Sequence, residues 1–415
     1  MSESNPESVE TLVIGGGVNG ISVASELKDR GYDDFVVADP EGYGGRLMDY
    51  ADSIGMESMR SPMEHNVDGS DEDSLWEYAL REDRLDDIED GRPEIELFRD
   101  HWEDTVDEYD LEDHLYWSEV EGIEEDDGFY RAVIDGQEVE AENIVLATGK
   151  GPLNYPDYAE ELPEQAEAYH AFDEDFSVDE AVDYDGETYV IGGGITAGQV
   201  ASSMAEKGAD VNLVSRSEIE KAGEEADEEW QDWSGINERL DGMDQEERYE
   251  EIQEARYDGA MPEYVHDKLV ESGADVAEEV EILDAEYTDG IDIELSDGET
   301  AEDVQLVYAT GFQDAYDDPF YQNVADELGL GTGFRDMPML ADEGLEWLDE
   351  YGDNSDIYVT GEMAQGNLGP FAGNIRGAQI ASEIIGDELT EDVLEPITAS
   401  QEAFAQNSTQ KMTAN

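Results

Sequence analysis

Apolar side chains in this chain gather into short β-branched runs, each of which gives way, after a cluster of glycines, to a helical rhythm. Residues 11–14 form one such run. Behind it Ile21, Ala24 and Leu27 recur at the spacing of one helix face, and Gly31 ends the stretch. Residues 188–191 open a second copy, followed by Val200 and Met204 at helical spacing and by Gly208. VIGGGVNGISVASELKDRGYDDFVVAD, from Val13, and VIGGGITAGQVASSMAEKGADVNLVSR, from Val190, align without a gap, Gly15 on Gly192, Gly17 on Gly194 and Gly31 on Gly208. Each copy predicts strand, glycine turn, helix and strand, the repeating unit of a doubly wound α/β fold.

The turns read Gly15-x-Gly17-x-x-Gly20 and Gly192-x-Gly194-x-x-Ala197. In such a turn the first glycine permits a tight reversal and the second lets the backbone approach a pyrophosphate. The third, or a small alanine, lets the helix pack closely on the strand. The helix N-terminus then offers free N–H groups and the positive end of its dipole to the phosphates. Two copies in the same context predict two dinucleotide cradles. They differ at the end of the second strand, where Asp39 of the first copy falls on Arg216 of the second. An aspartate accepts hydrogen bonds from a ribose 2′-hydroxyl and repels a 2′-phosphate, whereas an arginine pairs with one. Ser215 adds a hydroxyl beside that arginine. The first cradle therefore suits an adenosine with a free ribose, and the second suits NADPH.

Composition narrows the setting. The 415 residues carry 113 acidic side chains against 20 basic ones, a formal net charge of -93. The acids run through the periodic segments, so they coat a folded protein. The pattern resembles proteins of salt-in halophiles, in which molar potassium shortens the screening length to about 3 Å and suppresses self-repulsion. No basic stripe is present to meet nucleic acid. There is no cysteine, which excludes disulfides, thiolate metal sites and redox dithiols. His65, His101, His114, His170 and His266 show no metal-ligand spacing, so no metal is expected. The polar, acidic N-terminus and the lack of a long apolar run predict a cytoplasmic protein with no membrane partner.

Two further apolar strands run into glycine crossings, at Ala147-Thr148-Gly149 and Ala309-Thr310-Gly311. Residues 357–360 form a late strand, followed by Gly361-Glu362, a glycine-rich loop and a helix from about Asn374. With these elements the chain resembles flavoproteins built from two Rossmann-like dinucleotide-binding domains, an NAD(P)H domain being inserted into a discontinuous FAD domain. The resemblance implies FAD parts over 1–160 and 305–415, with the NADPH domain over 161–304 and an acidic helical insertion at about 219–270. It places FAD on Gly15, Gly17 and Gly20 with Asp39 at the ribose, and assigns Gly44, Gly45 and Arg46 of EGYGGRL to the cofactor lining. Gly149, Gly311 and Gly361 mark the crossings. Glu362 takes the place of the usual aspartate near the ribityl chain, and the helix begun at Asn374 points its N-terminus at the flavin.

Without a cysteine pair, a disulfide reductase is excluded. A flavin monooxygenase using molecular oxygen, a reductase serving another electron acceptor, and a noncatalytic nucleotide sensor remain. Motif order and the tryptophan-bearing insertion look distantly like the N-hydroxylating lysine/ornithine monooxygenases, which implies a small amine as substrate. The Phe-x-Gly-x-x-x-His signature of other flavin monooxygenases is not met, since His170 has Ala166 and Glu164 before it; His170 reads as a linker residue, and Trp230 and Trp233 as packing residues. In SMRSPMEHN, Arg60 and His65 are the candidates for catalysis. Arg60 would pair with nicotinamide, substrate carboxylate or flavin, and His65 would shuttle a proton. A surface arginine and histidine balancing acidic neighbours is the alternative reading of both.

Overall fold

The β-branched run of the first copy forms the strand Ser8–Ile14, buried from Thr11 onward, as a central parallel strand covered on both faces requires. The structure, a computed structural model, describes residues 8–390 apart from positions 127, 135, 258 and 343. Ser8–Ile14 pairs in parallel with Phe35–Ala38 on one side and Gln137–Leu146 on the other, and Leu115–Tyr116 extends the sheet beyond Phe35–Ala38. The outer edge of Gln137–Leu146 is divided. Its first half runs antiparallel to Phe129–Ile134, which pairs with Val120–Asp126, and its last residues pair in parallel with Ile357–Val359.

The second copy builds the same sheet again. Glu187–Ile191 lies between Asp210–Ser215 and Thr300–Tyr308, with Asp275–Glu278 outermost. Thr300–Tyr308 also carries an antiparallel meander, Ile291–Leu295 and Ile282–Tyr287, and pairs at its end with the short parallel strand Ala168–His170. The duplication seen in the glycine turns thus extends to two sheets of seven strands each. Helix Val18–Asp29 buries Ile21, Ala24 and Leu27 on the first sheet, and helix Ile195–Glu206 buries Val200 and Met204 on the second. Each fully buried Ile, Leu, Val or Met side chain among these contributes roughly 1.5–3 kcal/mol.

After Arg216 the chain leaves the second sheet. The turn Glu228–Trp230 and the helices Trp233–Leu240 and Gln245–Ala255, the last opened by an Asp244–Glu247 capping box, deliver Trp230, Ile236, Leu240 and Ile252 to the hydrophobic core of the first unit. Helix Glu263–Ser272 returns, placing Val265 and Leu269 in the core that holds Val200. The last part of the stretch expected as an insertion over 219–270 therefore packs with the second sheet. The expected return to the FAD domain at 305 falls inside Thr300–Tyr308, a strand of that same sheet. Of the expected third segment, residues 391–415 lie outside the described residues. The units meet where Gly55 abuts Ser203 of helix Ile195–Glu206 and where Lys268 pairs with Glu57 at 2.8 Å. Among the described residues no helix is long and apolar enough to cross a membrane.

Candidate active site

The three glycines of the first turn are constrained in different ways. Gly15 has φ +109°, and a Cβ there would stand 2.4 Å from the carbonyl oxygen of Ala147; one on Gly20 would stand 1.9 Å from that of Gly15. Gly17 has φ -70°, and no heavy atom lies within 4 Å of where its Cβ would be. It opens helix Val18–Asp29 without a side-chain cap. Space and free N–H groups therefore face outward at the position a pyrophosphate requires. Asp39 is held at the strand end: Oδ2 accepts the N–H of Gly16 and Oδ1 that of Glu41, each at 2.7 Å. Both oxygens keep capacity for a hydroxyl donor. Gly44 and Gly45, at φ +101° and +38°, turn the chain into helix Gly45–Ser53, where Arg46 is exposed beside Glu41 and Tyr50. Beneath Gly44 the indole N–H of buried Trp102 has no partner among the described residues.

At the other end of this cradle Gly149 turns at φ +91° and Gly361 at φ +61°. A Cβ on Gly361 would lie 3.2 Å from the side-chain nitrogen of Asn19, whose amide oxygen is buried without a partner. Lys150 Nζ donates to Glu362 Oε1 at 2.6 Å, and both atoms approach Gly373 so closely that a Cβ there would stand 2.7 Å from each. Asn374 Oδ1 accepts the N–H of Gly377 at 3.2 Å, capping the helix over 375–390. One carboxylate oxygen of Glu362 is thus held by a lysine. Lys150 was legible as one of six lysines, placed directly after Ala-Thr-Gly. Asn19 and Trp102 carried no such signal, since each is an ordinary helix residue until its burial is known.

In the second turn Gly192 has φ +148°, and a Cβ there would stand 2.4 Å from the carbonyl oxygen of Ala309, the same distance as for Gly15 and Ala147. Here the turn has room for a methyl group, and Ala197 is fully buried in it. A Cβ on Gly194 would lie 3.4 Å from the carbonyl oxygen of Gly259, so a loop from the inserted segment runs over this cradle. Gly311 turns at φ +75°. Arg216 is exposed and has no ion-pair partner among the described residues. Ser215 departs from expectation: its buried hydroxyl donates to the carbonyl of Ser217 at 2.8 Å. Ser215 ends the strand Asp210–Ser215 turned inward against Gly193, and Arg216, the next residue, is exposed.

Arg60 and His65 are not placed as a free catalytic pair. Arg60 Nε donates to the carbonyl of Gly223 at 3.1 Å and Nη1 to Glu225 at 2.8 Å, so the side chain ties the 58–66 loop to the segment leaving the second sheet. Its Nη2 is buried without a partner. His65 is 5% exposed and lies edge-on to Phe371, with ring centroids 6.5 Å apart. Burial, reinforced by Arg376, pushes its pKa down to about 4, so the imidazole is neutral at physiological pH and unsuited to the expected proton shuttle. His170 is no linker residue; it ends the strand Ala168–His170, fully buried and edge-on to Tyr155. Trp230 packs against Gly369 in the first core.

Comparison with known proteins agrees with this architecture. The family described as pyridine nucleotide-disulphide oxidoreductase matches residues 12–323, and the chain belongs to it. No curated protein sequence matches significantly. Among solved structures, the reduced form of ornithine hydroxylase from Pseudomonas aeruginosa superposes with a TM-score of 0.76 at 16% identity, over 93% of this chain and 100% of that one. Ornithine N-hydroxylase of Kutzneria sp. 744, with reduced FAD, NADP+ and L-ornithine, gives 0.76 at 16% over 93% and 99%. The FAD-bound cadaverine monooxygenase of Erwinia amylovora gives 0.73 at 16% over 93% and 95%.

Proposed function

We propose that this chain is an FAD- and NADPH-dependent monooxygenase that hydroxylates a small amine. The observation that carries the proposal is the pair of unlike strand ends, a tethered Asp39 at an open glycine turn and, at its duplicate, an exposed Arg216 with no ion-pair partner among the described residues. The residues of the first cradle fit FAD, because Gly17 faces open space and Asn19 and Trp102 hold buried polar atoms without partners. The similar folds of ornithine and cadaverine hydroxylases support the amine. The lack of cysteine in the 415 residues removes the dithiol through which a disulfide reductase would pass electrons.

Bound FAD would take a hydride from NADPH and deliver the electrons to oxygen. The chain's part is to hold and polarise. The N–H groups behind Gly17 would bind the pyrophosphate, and Asp39 would accept a ribose hydroxyl. Arg216 would pair with the 2′-phosphate of NADPH. Lys150, Glu362 and the N-terminus of the 375–390 helix converge on one wall. Glu362 offsets the charge of Lys150, so the helix dipole is what would favour the negative charge of a reduced ring there. Arg60 ties the 58–66 loop to the segment leaving the second sheet, and His65 packs as a buried ring against Phe371.

The test is rapid spectroscopy of the FAD-loaded chain in molar KCl, reduced by NADPH under nitrogen and then mixed with oxygen. The proposal expects bleaching by NADPH and reoxidation through a species that absorbs between the reduced and oxidised spectra. Direct return to oxidised flavin with peroxide release would replace the monooxygenase by a reductase. Absence of bleaching would leave only a nucleotide sensor.

A further inference from the structure

We propose that Trp117 is the adenine platform of the first nucleotide site, its indole stacking on the purine of FAD. This rests on the reading that the first cradle holds FAD. Trp117 is 61% exposed, on a chain whose surface is dominated by carboxylates. Its position is fixed from both sides. The carbonyl of Tyr116 accepts the N–H of Asp39 at 3.0 Å, and the N–H of Ser118 donates to the carbonyl of Asp39 at 3.1 Å. The backbone flanking Trp117 is therefore clamped to the residue that would hold the adenosine ribose. The ring itself lies against the turn after Asp39, where a Cβ on Gly42 would stand 2.5 Å from Cη2 and 2.7 Å from Cζ3. Gly42, at φ +80°, is the residue type that allows this approach.

The duplicated sheet supplies the contrast. There Glu278 lies opposite Ser215 as Tyr116 lies opposite Ala38, so Glu279 holds the place of Trp117, and the single bond from the N–H of Val280 to the carbonyl of Ser215, at 3.0 Å, falls one residue earlier than the bonds to Asp39. An aromatic platform is thus built at the first site and not at the second. A planar π-surface beside a ribose-binding acid, with its neighbouring backbone hydrogen-bonded in place, is the chemistry that recognises a purine without reading its edge.

The experiment uses the full chain in molar KCl and titrates FAD, FMN and ADP separately. Trp117→Ala is expected to weaken FAD and ADP roughly ten- to hundred-fold while leaving FMN, which has no adenine, within about two-fold; Trp117→Phe should retain most of the affinity. An unchanged thermal midpoint checks that the exposed ring was removed without harm to the fold. Equal affinity of wild type and Trp117→Ala for FAD would overturn the proposal, and so would equal losses for FAD and FMN. If the wild type binds ADP but no flavin, and Trp117→Ala weakens ADP, the platform stands while the FAD reading fails. If the wild type binds none of the three, both fail.

Discussion

Alanine at two glycines three residues apart separates binding from folding. Gly17 has φ -70°, allowed for any L-residue, and its new methyl would meet nothing within 4 Å. Without flavin, Gly17→Ala should shift stability by about 0.5 kcal/mol or less, with a tendency upward because the unfolded chain loses freedom. The methyl instead occupies the approach of a pyrophosphate to the helix N–H groups. Losing one charge-assisted hydrogen bond costs about 1.5–3 kcal/mol, which weakens FAD roughly ten- to hundred-fold. Gly20→Ala is the opposite case. Its Cβ would stand 1.9 Å from the carbonyl oxygen of Gly15, so helix or turn must shift, at about 1–3 kcal/mol for overpacking. The assay is urea unfolding without flavin beside FAD titration of the folded protein, both in molar KCl. Wild-type FAD affinity in Gly17→Ala would refute the placement of the pyrophosphate. Equal destabilisation by both substitutions would refute the steric reasoning.

Other outcomes follow from the same geometry. Arg216→Ala should weaken NADPH roughly ten- to hundred-fold, as for a charge-assisted contact, and leave NADH within about two-fold; binding assays that show equal losses would remove the phosphate-reading role. His65, His101 and His170 are each buried and each has its pKa pushed down to about 4, burial being the main cause. As pH falls below the ordinary value near 6.5 the unfolded chain takes up these protons first. Stability is therefore full above that pH and falls toward pH 4, by about 2 kcal/mol per histidine at pH 5. Urea midpoints that stay flat between pH 7.5 and 5 at fixed salt would contradict the burial argument. With a net charge of -93, dilution from molar KCl to about 0.1 M lengthens screening from about 3 Å to 10 Å and should unfold the chain or release its flavin, reversibly. Circular dichroism unchanged at low salt would count against the halophilic reading.

Much of the fold was legible because glycine turns leave a signature that side-chain chemistry alone explains. Gly15 and Gly192 occupy the same steric niche against Ala147 and Ala309, and the repeat exposes both. Ownership of strands was less legible. The runs ending at Ala147 and Ala309 look alike locally, and only pairing shows that Thr300–Tyr308 belongs beside Glu187–Ile191. Site residues divided along the same line. Asp39 and Arg216 each directly follow a strand, Phe35–Ala38 and Asp210–Ser215, a place the repeat reports. Arg60 is fixed by carbonyl and carboxylate partners about 160 residues away, which sequence does not report. His65 drew attention as a rare residue type, but its burial against Phe371 decides its charge. Ser215 is engaged by a carbonyl two residues on, which the sequence does not report.

The most direct measurement of the central claim is product analysis under turnover. The FAD-loaded chain in molar KCl, supplied with NADPH and oxygen, would be offered a panel of small amines and amino acids, and hydroxylated amine would be quantified against NADPH consumed. The account predicts that one amine yields hydroxylated product in near-equal amount to NADPH oxidised. Peroxide as the sole product with every amine, alongside efficient reduction of an added electron acceptor, would contradict it.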